Sequence, residues 1–242
     1  MLKVNVVLNT GKQTIRESSH CLYRLLKGLS KVNSFFHCPL LRHEGFEDVL
    51  IDFNLDQEEI TSSIEKTILE FLKSDILRND GEPNPDFDYS RDFGFSVLVQ
   101  YKNQNQEISF TGKLGSSSVN ALGQLSNNGF AVDIQIGNEI FRGLIDTGLV
   151  KHGVIKLSDV KFLKACRPYK YPLGVITYFS NESEWQIPND LEGIKYEHTD
   201  NGKYLILPRE DFATDPEKYE VDKQKLLELM EEIKRRVPEY GK

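Results

Sequence analysis

The sharpest approach to catalytic chemistry in this chain is Leu144-Ile145-Asp146-Thr147-Gly148. Two close carboxylates cannot both ionise, so a pair of such triplets can share one proton and activate water. Only one Asp-Thr/Ser-Gly is present, so an aspartic-type hydrolase built on Asp146 would need a homodimer. Leu149 stands where a small residue would follow, and the supporting apolar-apolar-Gly strand has only Pro172-Leu173-Gly174 as a counterpart. The competing reading is a turn that uses Asp and Gly for their backbone freedom.

Other candidates are weaker. His37, Cys38 and His43 lie close in sequence, but their spacing is not a familiar zinc pattern and no second ligand pair accompanies them. Thr111–Ser118 (TGKLGSSS) lacks both Walker and dinucleotide spacing and reads as a strand end entering a loop. No Gly-x-Ser-x-Gly elbow is present. Three widely spaced cysteines, Cys21, Cys38 and Cys166, do not make a disulfide framework, and Cys21 reads as a small core residue. The expectation is a protein without catalysis, cofactor or metal.

Charge is more informative. Between Glu44 and Asp92 stand 15 carboxylates and four basic side chains, Lys66, Lys73, Arg78 and Arg91, a net of −11. The whole chain is −7, so the remainder sums to +4. A concentrated negative field repels nucleic acid and membrane surfaces and attracts a basic partner. A solvated helix and loop that keep the chain in solution would carry the same charges, and so would the acidic surface of a non-catalytic adaptor protein. The acid is densest in Arg78–Asp92, where Asp80, Glu82, Asp86 and Asp88 surround the aromatics Phe87 and Tyr89. Trp185, the single tryptophan, sits in the polar loop Ser180–Asn189, as an interface anchor or as a plug on the core.

The elements that must position these groups follow from periodicity. Residues 2–9 read as a strand. Thr14 with Glu17 forms a capping box for a helix to about Lys31, with Ile15, Leu22, Leu26 and Leu29 inward. Arg16 and Arg24 would pair along its surface. Asp56 with Glu59 opens a second helix to about Leu77, with Ile60, Ile64, Ile68 and Phe71 inward. Between these helices only short apolar pieces occur, around Phe35–Phe36 and Val49–Phe53. Strand-like runs follow at Gly94–Tyr101, Gln106–Lys113 and Gly129–Ile136, then a short helix at Ser158–Ala165 and a buried strand at Leu173–Phe179. Asn201-Gly202 predicts a hairpin joining Ile194–His198 to Lys203–Leu207. A final helix runs from Pro216 to Val237. Hairpins and segregated helices predict α+β, with antiparallel sheet and amphipathic helices packed on one face. The chain reads as a single domain, 1–242, whose two loosely similar halves join near residues 123–129. No membrane-span-length apolar run or signal-peptide h-region occurs, so the expected compartment is cytoplasmic.

Motif order then suggests a family. Arg16-Glu17-Ser18, Cys21 and Arg24-Leu25 open the first helix, followed by Gly94-Phe95-Ser96-Val97 and Gly174-Val175-Ile176-Thr177-Tyr178-Phe179-Ser180. Gly202-Lys203-Tyr204-Leu205-Ile206 and Glu210-Asp211-Phe212 precede the last helix. This arrangement resembles the immunity protein 52 family of bacterial polymorphic toxin systems. Asn9-Thr10-Gly11 stands where the family carries an aromatic pair. The resemblance implies a cytoplasmic antitoxin that binds a cognate toxin domain, a basic nuclease, and carries over no catalytic residue. On that reading Asp80, Glu82, Asp86, Phe87, Asp88, Tyr89 and Trp185 would face the toxin. Neither nucleic acid nor membrane is expected as a partner.

Overall fold

Thr14 and Asp56 start the first two helices with the capping boxes that the sequence predicts. In the computed structural model, which describes residues 2–10, 13–42, 46–72, 95–102, 107–114, 121–125, 134–157, 160–169, 171–183, 186–208 and 216–241, α1 spans Ile15–Ser30 and α2 spans Gln57–Phe71. Each cap side chain accepts from the N3 backbone, and Glu17 or Glu59 reaches back to the cap's own N–H. These bonds satisfy donors that a helix start otherwise leaves open. The continuation of α2 towards Leu77 lies outside the described residues beyond Leu72.

Two units emerge from the contact pattern. The amino-side unit comprises Val7–Gly129 and Gly143–Leu149. In it α1 and α2 pack together, with Leu22, Leu25, Leu26 and Leu29 of α1 and all four expected residues of α2 buried. A short 3-10 turn, Ser34–His37, starts from Asn33, whose Oδ1 accepts from the Phe35 N–H at 2.8 Å. Its antiparallel strands run in the order β3-β2-β4-β5-β6. They are β2 Leu40–Arg42, β3 Val49–Leu50, β4 Phe95–Lys102, β5 Glu107–Leu114 and β6 Ala121–Leu125. Phe36, Tyr101 and Phe110 form an aromatic core, with Tyr101 edge-on to both neighbours.

The carboxyl-side unit comprises Met1–Val6, Phe130–Arg142 and Val150–Lys242. Its strand order is β1-β7-β8-β10-β9, from β1 Leu2–Leu8, β7 Val150–Leu157, β8 Ile176–Ser180, β9 Lys195–Thr199 and β10 Gly202–Ile206. The pairs β7–β8, β8–β10 and β10–β9 are antiparallel. The expected hairpin is present, with Asp200 and Asn201 between its strands. A short helix, Val160–Ala165, and a long one, Pro216–Arg236, supply much of the core. Leu226, Leu229, Met230 and Ile233 of the long helix pack with Phe162, Phe179 and Leu205.

One element differs from expectation. Of the expected strand Gly129–Ile136, residues 129–133 lie outside the described residues, and Ile134 opens a helix instead, Ile134–Ile145, here α3; the strand paired with β5 is β6 upstream. Phe130, Val132, Ile134 and Ile136 alternate and mimic a strand. Ile140, Phe141, Leu144 and Ile145 continue at helical spacing and are all buried. Burying that longer stripe wins over the local alternation. β7 is the other surprise, because His152 and Gly153 interrupt its apolar run yet are buried. The fold is α+β.

Candidate interaction surface

Every residue singled out to meet a toxin, Asp80, Glu82, Asp86, Phe87, Asp88, Tyr89 and Trp185, lies outside the described residues. The described part of the acidic stretch is residues 46–72, and most of its carboxylates have structural partners. Asp48 pairs with Arg42 at 2.8 Å, and Arg42 also donates to the Gln100 side chain at 2.6 Å. Asp52 accepts from the Asn54 N–H at 2.9 Å, closing a turn. Asp56 and Glu59 cap α2, where negative charge also complements the helix dipole. Arg16 of α1 bridges to Glu58 and, at 2.5 Å, to Glu65 on α2. Arg16 therefore ties two helices together rather than pairing along its own, and its guanidinium pKa is raised, chiefly by the bond to Glu65.

Between these groups the surface carries apolar side chains. Phe46 is 38% exposed, Leu50 57% and Leu55 48%. Phe46 leans on Phe71 at a ring distance of 5.4 Å, and Phe53 sits against Tyr23 beneath the Lys27 ammonium. β3 is the terminal strand of its order among the described residues. The Ile51 N–H bonds the Pro39 carbonyl at 2.9 Å, and Val49 lies opposite Leu41. Antiparallel alternation then turns the Leu50 N–H and C=O away from β2. Sequence reasoning saw only an apolar piece at Val49–Phe53, because a two-residue strand is too short to show which face is wet.

The Asp146 triplet resolves as the end of α3. Asp146, Thr147 and Gly148 form the turn after Ile145, and Asp146 is exposed. Gly148 has φ 71°, the left-handed conformation that ends helices cheaply only with glycine. Thr147 Oγ1 donates to the Leu144 carbonyl at 2.6 Å, and the Gly148 N–H donates to Ile145 at 2.9 Å. Arg24 completes the stop by donating to the Thr147 carbonyl at 2.6 Å. Arg24, expected to pair along its own helix, thus meets the Asp146 triplet at one helix terminus.

The remaining candidates divide similarly. His37 ends the 3-10 turn and Cys38 follows it, both exposed, and His43 lies outside the described residues. No group of three or more His, Cys, Asp or Glu side chains placed to hold a metal occurs among the described residues. Cys21 and Cys166 are buried, which pushes both thiols up to about 11. In β10, the Lys203 ammonium reaches Asn189 Oδ1 at 2.6 Å and the Ile187 carbonyl, and burial lowers its pKa. Sequence gave no signal for His152. Its ring stacks on Tyr171 at 4.6 Å and 17°, with Phe179 at 5.0 Å, and its Nε2 has no hydrogen-bond partner among the described residues. Burial first and the nearby Lys156 second lower its pKa to about 3.

Fold and surface together define an α+β protein with an acidic, partly apolar face on its amino-side unit. No helix among the described residues is long and apolar enough to cross a membrane. No family model and no curated protein matches the chain. Among solved structures it is similar to Pseudomonas aeruginosa T6SS protein PA0821, at 10% identity and a TM-score of 0.42. That similarity covers 89% of this chain and 71% of the other.

Proposed function

We propose that this chain is a cytoplasmic immunity protein of the immunity protein 52 type, which binds a cognate toxin domain and neutralises it by protein–protein contact. The observation that carries the reading is the net −11 concentrated between Glu44 and Asp92 in a chain of −7. A nuclease must present cationic side chains to phosphates, and a blocker can offer carboxylates in their place. The order of motifs from Arg16 to Phe212 supports the same reading. Asp80, Glu82, Asp86 and Asp88 supply the charge, and Phe87, Tyr89 and Trp185 the aromatic anchors. The protein acts by occupancy and needs neither a catalytic group nor a metal.

The test is rescue. The gene beside this one is expressed for its C-terminal domain in a bacterial host, with and without this chain. Toxicity abolished by co-expression, together with a stoichiometric complex on gel filtration, is the expected result. Toxicity that persists with both proteins present at equal levels sinks the reading.

A further inference from the structure

Leu50, Leu55 and Phe46 are three of the five large hydrophobic side chains that stand exposed among the described residues, and they fall within a ten-residue stretch. Phe46 leans on Phe71 at the last turn of α2 and Leu55 precedes that helix's first residue, about 20 Å away along it, so the apolar group that the strand edge itself presents is Leu50. The surrounding rim is acidic: Glu47, Asp48, Asp52, Asp56, Glu58 and Glu59 are all exposed. Most of them hold their positions through the bonds described above, so the charges are fixed in place before any partner arrives. Glu47 has no ion pair among the described residues.

We infer that segment 46–56 is a docking surface for an extended, basic segment of a partner protein, with one apolar side chain of that segment set against Leu50. The inference rests on the immunity reading and gives it a second contact region, besides the Asp80–Asp92 segment. Charge selects the occupant. A second copy of this chain would bring carboxylates against carboxylates, which disfavours self-association. A lysine- or arginine-bearing strand meets them with opposite sign. The main chain adds direction: the Leu50 N–H and C=O point to the outer edge of β3, where an added strand can bond them. Cationic side chains alternating with apolar ones then place charge against the rim and an apolar group on Leu50.

Two probes test the assignment on the full chain. One is an eight-residue peptide of alternating lysine and valine, with a glutamate–valine peptide as control. The other is an inactivated C-terminal domain from the neighbouring gene. Leu50→Asp removes the apolar contact, and Glu47→Lys reverses a rim charge that has no ion pair among the described residues. Both positions are exposed, so unchanged circular dichroism and melting are expected. The lysine peptide binds the wild type, the glutamate peptide does not, and each variant weakens both probes by about tenfold or more. Hydrogen exchange on binding slows at Leu50. Equal affinity of wild type and variants, or preference for the glutamate peptide, overturns the surface. If the neighbouring domain fails to bind wild type while the lysine peptide binds as described, the immunity reading falls and the surface stands.

Discussion

A neutral imidazole is the form that fits between Tyr171 and Phe179. His152 is 3% exposed, and with its pKa lowered to about 3 it is uncharged in the folded protein across the physiological range. In the unfolded chain it titrates near its ordinary value of 6.5. Below that value the unfolded state therefore binds a proton that the folded state refuses, and the linkage favours unfolding. Its contribution to stability is complete above the unfolded value and is lost progressively as pH falls towards 3. His152→Phe keeps a ring in the stack and removes the titration. We expect denaturant melts at pH 7 to differ by less than about 1.5 kcal/mol. Between pH 6 and 4 the wild type should lose stability faster than the variant, by up to about 1.4 kcal/mol per pH unit. Parallel pH profiles for the two proteins would show that His152 is protonated or hydrated in place.

At the scale of elements, α1 and the end of α3 approach closely because glycine faces glycine. The last turn of α3 belongs to the amino-side unit, with α1. A Cβ on Gly28 would lie 2.5 Å from Thr147 Cγ2 and 2.7 Å from the Gly143 carbonyl oxygen. One on Gly143 would lie 2.4 Å from Val32 Cγ2. Alanine at position 28 gains about 1 kcal/mol of helix propensity. It meets a backbone carbonyl that cannot step aside, and overpacking of that kind costs about 1–3 kcal/mol. Gly28→Ala should therefore destabilise, read as a lower midpoint in urea with an unchanged slope; a stabilised variant would mean that the helices separate freely. Sequence showed the helix but not this crossing, since nothing local reveals which glycine meets a neighbour. The capping boxes at Thr14 and Asp56 were legible because their bonds span only three residues. The β9–β10 hairpin was legible for the same reason, through its Asn-Gly. β7 and α3 were not, because burial of His152 and extension of the Ile134 helix depend on distant contacts. The roles of Arg16 and Arg24 were likewise hidden: their partners lie 42, 49 and 123 residues away.

For the whole molecule the governing quantity is the separation of charge, −11 in one stretch against +4 elsewhere. Composition alone located that asymmetry, yet it could not say which carboxylates serve the fold. In residues 46–72 the division is visible: Asp56 and Glu59 hold a helix start, and Glu58 and Glu65 hold Arg16. Removing those would confound folding with binding. Asp80, Glu82, Asp86 and Asp88, where the acid is densest in the sequence, form the set to neutralise, as Asn and Gln, when association with the neighbouring gene's domain is measured. Long-range attraction acts on encounter, raising association rates by roughly ten- to a thousand-fold at low salt. It is screened over about 10 Å at 0.1 M salt. The quadruple variant should associate more slowly at low ionic strength, with a flatter dependence on salt. The two proteins should converge as salt rises, while dissociation changes less, because steering leaves short-range contacts in place. Stopped-flow measurement across a salt series reads all three quantities. An unchanged salt slope would remove Asp80–Asp92 from the encounter and leave segment 46–56 to carry it.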